Sequence, residues 1–312
     1  MDEPIQPTPA PTSPHAHSNA HAESAAQLTA SPEERTIPPA PAGRPHVVEF
    51  HNVTKTYAAG TSREYTAIKN VTFHVADIES IGELICILGP SGCGKSTVLK
   101  LIAGLEPQHP PTIGEVKVLG QKVEGPGSDR GMVFQEYTAF DNRTVLDNVA
   151  FGLECRGVPR TERHDQARAW IEKVGLNPKK DALKYPHELS GGMRQRVAIA
   201  RSLILNPRIL LMDEPFGALD PMTRLRMQDL LIKLWEEAEA TVFFVTHSIE
   251  EAVFLGDRIY LFSNAPGTII EEVHARRPDK SAVESQALPE FSERVKYIRQ
   301  KIATMEEQAG II

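Results

Sequence analysis

Apolar residues repeat along the chain with two periods, and their alternation predicts an α/β fold. Three short runs are apolar throughout: Leu84 to Leu88, Ile209 to Met212 and Val242 to Val245. Such runs are typical of strands buried on both faces of a parallel sheet. Helical patterns lie between them, so from Val47 onward we predict a mostly parallel sheet with helices on its faces. Ligands of such sheets bind beyond the carboxyl ends of the strands, where polar residues follow each run.

The beginning of the chain lacks this alternation. Residues 1–45 contain ten of the 24 prolines and almost no large apolar residues, so burial cannot offset their ordering entropy and we predict a disordered tail. Residues 46–275 are predicted to form the main domain, which includes a charged helical insert at about residues 136–206. Residues 276–312 are predicted to form a C-terminal helical extension.

The extension contains an amphipathic pattern between Pro289 and Gln308. Its apolar residues recur at steps of four and three: Phe291, Val295, Ile298, Ile302 and Met305. This spacing places them on one face of a helix. We predict that the stripe packs on its own domain, with binding of a partner as the alternative.

Composition and charge exclude several classes of protein. The formal net charge is -7, from 34 Lys and Arg against 41 Asp and Glu, which argues against a protein that coats nucleic acid electrostatically. No uncharged apolar stretch approaches the ~18 residues of a membrane helix, and the N-terminus lacks the apolar run of a signal peptide. If the protein works at a membrane, another component is expected to hold it there.

Two sets of residues could suggest a metal site, and neither set is complete. His15, His17 and His21 lie in the tail, but no carboxylate or cysteine completes the set, so a solvated linker is the favoured interpretation. The chain has three cysteines, Cys86, Cys93 and Cys155. They are too few and too scattered for a disulfide scaffold or a thiolate metal site, and they fit a reducing cytosol.

A glycine-rich segment follows the first apolar run and precedes a helical pattern from Thr97 to Leu105. Its residues are Gly89, Pro90, Ser91, Gly92, Cys93, Gly94, Lys95 and Ser96. This spacing between a strand and a helix is that of a P-loop, whose backbone N–H groups point at phosphate oxygens. Lys95 is expected to reach the β- and γ-phosphates of a nucleotide, and Ser96 to offer its hydroxyl to Mg²⁺.

Acidic residues end the second apolar run. Asp213 and Glu214 follow Met212 and precede Pro215. A carboxylate at this point can hold the Mg²⁺ that Ser96 also binds, and the adjacent acid could activate water. A turn without a chemical role is the alternative.

A second candidate phosphate site lies at Leu189 to Arg196, which opens another helical pattern. Ser190 suits the N-cap, and Gly191 and Gly192 leave the first-turn N–H groups open to an anion. Two glycines in the first turn of a helix cost about 1 kcal/mol each relative to alanine, and a plain capped helix would not need them.

Together these motifs resemble the ATP-binding subunits of ABC transporters, particularly those of nitrate, sulfonate and taurine importers. The similar segments are Gly89 to Ser96 for the Walker A motif, Leu189 to Arg196 for the ABC signature and Ile209 to Glu214 for the Walker B motif. Gly125 to Gly131 and Glu214 to Asp220 resemble the narrower group. The likeness runs from about Val47 to Ile302. It implies a P-loop NTPase core of the RecA-like type, an antiparallel β subdomain and a helical insert.

The resemblance also implies roles for single residues. In that family ATP lies between two subunits, so Ser190, Gly191 and Gly192 would contact the γ-phosphate bound at Lys95 of the partner subunit. Glu214 matches the general base, Asp213 and Ser96 match the Mg²⁺ ligands, and Gln135 matches the residue that touches Mg²⁺ and the attacking water. His247 matches the residue that contacts the γ-phosphate and orients the base. Tyr57 matches the aromatic residue that stacks on adenine, and Asp220 matches an inter-subunit contact. Thr97 completes the phosphate-binding loop Gly89 to Ser96, which we call the cradle.

Four of these residues also have an interpretation without a role in binding or catalysis. Gln135 can be a polar residue that ends the strand Met132 to Phe134, and Tyr57 a half-exposed strand tyrosine. Asp220 can be an N-cap followed by proline. His247 can be a solvated loop residue, since a capping box of Ser248 and Glu251 would explain the next helix without it.

Cys93 lies inside the cradle, directly before a helix. The local field at a helix N-terminus favours the thiolate, so we expect ready alkylation of Cys93 and protection by bound ATP. An inert small residue is the alternative.

The resemblance implies an ATPase that uses ATP and Mg²⁺, forms a homodimer and drives a separate membrane permease from the cytoplasmic face of the cell membrane. A periplasmic or surface solute-binding protein would be an indirect partner, and no nucleic acid is expected. The alternatives are an ABC ATPase of DNA repair or translation, which generally carries two cassettes or a coiled-coil insert, and an ATP sensor that does not hydrolyse.

Overall fold

The computed structural model of the chain describes residues 46–77, 82–135, 139–275 and 280–308. The predicted tail 1–45 lies outside these residues, together with its three histidines. The first positions of the predicted helical insert, 136–138, lie outside them too, as does the beginning of the predicted C-terminal extension, 276–279.

The described residues form ten strands and nine α-helices. The strands are β1 His46–Tyr57, β2 Tyr65–Ala76, β3 Leu84–Leu88, β4 Ile113–Val118, β5 Gln121–Lys122, β6 Arg130–Val133, β7 Ile209–Asp213, β8 Thr241–Thr246, β9 Arg258–Phe262 and β10 Ile269–His274. The helices are α1 Lys95–Ala103, α2 Val145–Cys155, α3 Arg160–Lys173, α4 Pro178–Asp181, α5 Gly191–Leu203, α6 Pro221–Ala238, α7 Ile249–Leu255, α8 Ala282–Gln286 and α9 Pro289–Gln308. A short 3-10 turn, Pro186–Glu188, precedes α5.

The central sheet has six strands in the order β10-β9-β3-β8-β7-β6. Strands β9, β3, β8, β7 and β6 pair in parallel, and β10 joins β9 in antiparallel orientation. Every residue of β3, β7 and β8 is buried, as expected for strands covered on both faces. The predicted α/β class with a mostly parallel sheet is therefore confirmed.

Alternate residues of β3 belong to two different hydrophobic clusters. Leu84, Cys86 and Leu88 pack with apolar residues of the helical insert and of α6, α7 and α9. Ile85 and Ile87 pack on the other face, with α1 and with the smaller sheet. Because successive strand residues point to opposite faces, the uninterrupted apolar runs in the sequence serve two cores at once.

The smaller sheet is antiparallel, with strand order β2-β1-β4-β5. It packs on the central sheet through aromatic residues. Phe50 stacks on Phe73 with ring centroids 4.6 Å apart, and Phe73 lies 5.1 Å from the ring of Tyr260 in β9. This agrees with the antiparallel β subdomain that the resemblance implied.

The apolar stripe of α9 packs on the protein's own core. Phe291, Val295 and Ile298 are buried, and Ile302 is partly buried against the same cluster that lines the helical face of the central sheet. The stripe is thus covered by α7 and α8 of this chain. Among the helices of the described residues, none has the length and apolar character that crossing a membrane requires.

Truncation of Ile298, which is 1% exposed, should destabilise the fold. We expect Ile298→Ala to lower the free energy of unfolding by about 2 to 5 kcal/mol, because the site cannot fully collapse around the lost methyl groups. Ile113, which is 61% exposed, provides the matched control, and Ile113→Ala should change that free energy by less than about 0.5 kcal/mol. Urea unfolding followed by circular dichroism measures both. Equal effects of the two substitutions would contradict the packing of α9.

Candidate active site

The loop between β3 and α1 contains glycine where no side chain fits. Gly94 has a φ of 96°, in the left-handed region that glycine adopts readily. A Cβ there would also overlap the side chain of Ile68 and the carbonyl oxygen of Ala67. At the other end of the loop, a Cβ on Gly89 would lie 2.9 Å from Cβ of Phe262. Neighbouring segments therefore leave no space for a side chain at either end of the loop, which turns tightly at the end of β3.

Helix α1 begins at Lys95 rather than at Thr97. Its N-cap is Gly94, which supplies no side-chain hydrogen bond to the first turn. The first N–H groups of a helix lack partners within it, and the helix dipole places partial positive charge there. The curled loop and the start of α1 therefore form a site suited to phosphate.

Lys95 lies in the interior of this loop, with its side chain 4% exposed. Its Nζ donates hydrogen bonds to the carbonyl oxygens of Gly89 and Pro90, both at 2.8 Å. The same Nζ is 4.0 Å from Oε1 of Glu214. The ammonium group thus lies at the centre of the cradle and faces a carboxylate from the end of β7.

Ser96 and Asp213 meet at the end of the neighbouring strand. Oγ of Ser96 donates a hydrogen bond to Oδ1 of Asp213 at 2.7 Å. Burial raises the pKa of the Asp213 carboxyl above its ordinary value, although the hydrogen bond from Ser96 opposes this shift. A cation beside this buried carboxylate would offset the cost of its charge.

The two oxygens fit a magnesium ion. Mg²⁺ prefers hard oxygen ligands and is usually bound by one or two carboxylates together with substrate phosphates. No cluster of three or more His, Cys, Asp or Glu side chains that could hold a metal ion occurs among the described residues. Ser96 and Asp213 supply two such oxygens, and nucleotide phosphates would supply others.

Glu214 has a strained backbone that aims its carboxylate. Its φ is 43°, in a region that costs a non-glycine residue about 1 to 3 kcal/mol. Its N–H donates to the carbonyl oxygen of Val245 at 3.1 Å, which ties the turn to β8. Its Oε2 lies 3.2 Å from Nδ1 of His247, whose side chain is 55% exposed. The carboxylate therefore lies between Lys95 and His247.

Gln135 lies at the same edge of the sheet. Strand β6 ends at Val133 rather than at Phe134, and Val133 is opposite Met212 in the parallel ladder. The residues that follow β6 and β7 consequently leave the sheet side by side. Gln135 is exposed there, and within the described part of the chain it has no hydrogen bond to Ser96 or Asp213.

Tyr57, the last residue of β1, is tied to the cradle helix. Its hydroxyl lies 3.2 Å from Oγ1 of Thr97, and Nζ of Lys55 lies 5.5 Å from the centre of its ring. The side chain is half-buried. An aromatic ring therefore lies beside the helix that follows the candidate phosphate loop.

The glycines of the second candidate phosphate site lie beside another turn. Ser190 is the N-cap of α5, and its Oγ accepts a hydrogen bond from the N–H of Met193 at 3.3 Å. A Cβ on Gly192 would lie 3.0 Å from Cγ2 of Thr223, near the start of α6. The N-cap of α6 is Asp220, whose Oδ1 accepts from the N–H of Thr223 at 3.0 Å. The N-terminal ends of α5 and α6 thus bring together a second group of candidate site residues, in addition to those around Lys95.

Comparisons with known proteins identify the family. Residues 68–217 match the model of the ABC transporter family. An uncharacterised ABC transporter ATP-binding protein of Methanocaldococcus jannaschii is 47% identical over 76% of this chain and 86% of its own. The chain belongs to the ABC transporter ATP-binding proteins. Membership of this family, together with a related cassette captured with ADP and Pi, shows that it is an ATPase.

Two relatives carry functional names. The nitrate import ATP-binding protein NrtD of Synechocystis is 49% identical over 70% of this chain and 79% of its own. The taurine import ATP-binding protein TauB of Escherichia coli is 45% identical over 72% of this chain and 89% of its own. Among solved structures, the ATP-binding cassette MJ0796 was captured as a dimer with ADP and Pi. It is 37% identical, with a TM-score of 0.62 over 73% of this chain and 99% of that one.

The structure corrects the predicted capping box of α7. Ser248 does cap the helix, since its Oγ accepts from the N–H of Glu251 at 3.2 Å. The Glu251 carboxylate, however, turns inward and accepts from Oγ1 of Thr246 at 2.6 Å and from Nε2 of Gln228 at 3.4 Å. The sequence shows a complete capping-box motif because the buried residues that bind the Glu251 carboxylate instead lie in other elements. The sequence analysis predicted no role for Thr246 or Gln228. Their one signal in the sequence is that each is a polar residue at the edge of an apolar stripe.

The predicted reactivity of Cys93 is also wrong. Its side chain is 1% exposed, and burial raises the pKa of its thiol above the ordinary value, against the smaller opposing influence of Lys95. A raised pKa leaves less thiolate at neutral pH, and the thiolate is the nucleophile. Desolvation therefore outweighs the field of the helix N-terminus.

Cysteine labelling tests this correction. Cys155 is exposed, whereas Cys86 and Cys93 are buried. We expect one thiol of the folded protein to react rapidly with a chromogenic disulfide at pH 8, and the other two to react upon unfolding in guanidinium. Cys155→Ser should remove the rapid phase. A rapid phase that persists in this variant and disappears in Cys93→Ser would contradict the buried, protonated thiol.

Proposed function

We propose that this protein is the ATP-hydrolysing subunit of an ABC importer that energises uptake of a small anion, such as nitrate, a sulfonate or taurine, through a separate permease. The observation that supports ATP hydrolysis is the position of the Glu214 carboxylate, 4.0 Å from Lys95 Nζ and 3.2 Å from His247 Nδ1. The names of the two relatives described above support import and the class of solute.

Lys95 and the loop Gly89 to Gly94 bind the nucleotide phosphates in this proposal. When ATP binds, Lys95 Nζ exchanges the carbonyl oxygens of Gly89 and Pro90 for phosphate oxygens, while the loop N–H groups surround the phosphate chain. Ser96, Asp213 and Gln135 would hold Mg²⁺, which supplies neutralisation of the negative charge on the phosphates. Tyr57 would stack on adenine, with Thr97 fixing its hydroxyl.

Glu214 is the general base in this proposal. Its carboxylate accepts a proton from the attacking water, and His247 holds that carboxylate in place through the contact at Oε2. The strained turn favours the role, because the constrained backbone positions the base before the reaction begins.

A second copy of the chain completes the site. We propose that Ser190, Gly191 and Gly192 of one subunit contact the γ-phosphate held by the other, with Asp220 at the interface. The separate grouping of the starts of α5 and α6 supports this, as does the dimeric state of the related cassette. ATP then favours the closed dimer by binding it more tightly than the open one, and hydrolysis reverses that preference.

The remaining assignments are part of the same proposal. The permease subunits would hold this protein at the cytoplasmic face of the cell membrane, and a periplasmic or surface solute-binding protein would deliver the solute to them. The division into residues 1–45, 46–275 and 276–312 stays a prediction.

Substitution of the base should separate binding from hydrolysis. We expect Glu214→Gln to bind ATP like the wild type and to lower the rate of phosphate release by about 10²- to 10⁴-fold, the usual contribution of a general base. Dimers should persist in ATP, which size-exclusion chromatography detects. Glu236→Gln, at an exposed position on α6, is the matched control and should hydrolyse normally. Normal turnover by Glu214→Gln would remove Glu214 from the base role.

Uptake in cells tests the importer assignment. In a strain that lacks the gene, we expect uptake of labelled nitrate, taurine or an alkanesulfonate to fall, and to recover with the wild type or Glu236→Gln but not with Glu214→Gln. The tagged protein should co-purify with an integral membrane subunit. Co-purification with ribosomes or DNA and unchanged uptake of all three solutes would favour the alternative of an ABC ATPase in translation or DNA repair.

A further inference from the structure

A buried polar bridge joins helix α6, the end of strand β8 and helix α7. Its members are Arg224, Gln228, Thr246 and Glu251. Gln228 and Thr246 are each 2% exposed and Glu251 is 6% exposed, while Arg224 is half-buried. None of the four belongs to the residues that would touch the nucleotide in the proposed function.

On one side, the bridge holds the two neighbours of His247. Oγ1 of Thr246 donates to Oε2 of Glu251 at 2.6 Å. The same Oγ1 accepts a hydrogen bond from the N–H of Ser248 at 3.0 Å. Because Thr246 and Ser248 flank His247, the Glu251 carboxylate fixes the backbone on both sides of the histidine.

On the other side, the bridge reaches the turn before α6. Oε1 of Glu251 lies 3.6 Å from Nε of Arg224 and accepts from Nε2 of Gln228 at 3.4 Å. Nη2 of Arg224 donates to the carbonyl oxygen of Leu219 at 3.1 Å, and Leu219 directly precedes Asp220. Nε of Arg224 has no hydrogen-bond partner among the described residues, so its contact with Glu251 is an ion pair rather than a hydrogen bond. Through this ion pair and the hydrogen bonds of Thr246, one carboxylate links the backbone at His247 with the backbone at Asp220.

Stability alone does not account for these residue types. Burial raises the pKa of Glu251, and the contacts with Thr246 and Arg224 only partly oppose that rise. Apolar residues of similar volume often replace a buried ion pair without loss of stability. Hydrogen bonds, unlike apolar contacts, are directional, which is what the placement of a catalytic side chain requires.

We propose that Glu251 and Arg224 are positioning residues for ATP hydrolysis, which hold His247 against Glu214 and join it mechanically to the Asp220 turn. The inference rests on the proposed function, in which His247 orients the base and Asp220 meets the second subunit. Closure of the dimer at Asp220 would then set the position of His247, so that hydrolysis follows association of the two subunits.

The primary test compares isosteric substitutions with matched controls. We expect Glu251→Gln and Thr246→Val each to lower kcat by about ten- to a hundredfold, since a catalytic group misplaced by about an ångström can lose a hundredfold. Binding of ATP, measured by isothermal titration calorimetry, should remain as in the wild type. Thr241→Val, at the other end of β8, and Glu236→Gln, at the far end of α6, are the controls and should keep the wild-type kcat.

A second measurement separates positioning from a general loss of structure. If Glu251 acts through His247, then Glu251→Gln should lower kcat little or not at all in a His247→Ala background, because residues that act as a unit are not additive. Multiplying losses in the double variant would overturn the proposal, as would a wild-type kcat for Glu251→Gln and Thr246→Val. Arg224→Lys should show a partial loss, because the shorter ammonium group can meet the carboxylate without reaching Leu219.

Two controls make these outcomes distinguishable: phosphate release by the wild type and the melting temperature of each variant. A wild-type protein that releases no phosphate from MgATP would refute the proposed function itself. A wild type that hydrolyses ATP, together with a normal Glu251→Gln, would refute only the positioning role. Thermal unfolding identifies a variant that fails to fold, and if Glu251→Gln does so, Thr246→Val and its Thr241→Val control decide the question alone.

Discussion

Parallel pairing of three adjacent strands sets the distances in the active site. Leu88 is opposite Thr246, and Asp213 is opposite Val245, so β3, β8 and β7 end at nearly the same level. A slip of one residue would move a strand end by about 3.3 Å, more than the contacts around Glu214 allow. The two hydrophobic clusters resist such a slip, because it would exchange every strand side chain between them. Packing of the core thus holds Lys95, Glu214 and His247 together.

Two adjacent acids, Asp213 and Glu214, lie at this edge of the sheet, and their negative charges repel each other. Glu214 raises the pKa of Asp213, although burial is the larger cause. The structure gives the two carboxylates different partners, Ser96 for Asp213 and the pair of Lys95 and His247 for Glu214. A continuing strand would send the second side chain to the opposite face of the sheet. The left-handed turn at Glu214 redirects it along the edge, which gives a physical reason for the strained backbone.

The sequence predicts what depends on neighbours along the chain, and fails where burial by distant elements decides. The three apolar runs, the P-loop between strand and helix, and the caps at Ser190 and Asp220 have local causes and agree with the structure. Cys93 and Glu251 do not follow their local patterns. The field of a helix start favours a Cys93 thiolate and the spacing favours a capping box, yet packing from other segments buries both side chains. No local motif records such long-range packing.

The polar bridge matters because the candidate site residues of the chain lie in two groups. One group is the cradle with Glu214 and His247, and the other is the start of α5 with the Asp220 turn. Apolar packing between α6 and α7 could keep these helices together, but it would allow small rotations and slides. The Glu251 carboxylate instead accepts directional hydrogen bonds from Thr246 and Gln228, within a low dielectric that strengthens each of them. Under the proposed positioning role, a displacement at Asp220 would be passed to His247 through Arg224 and Glu251 rather than absorbed between the helices, as hydrolysis controlled by dimer closure would require.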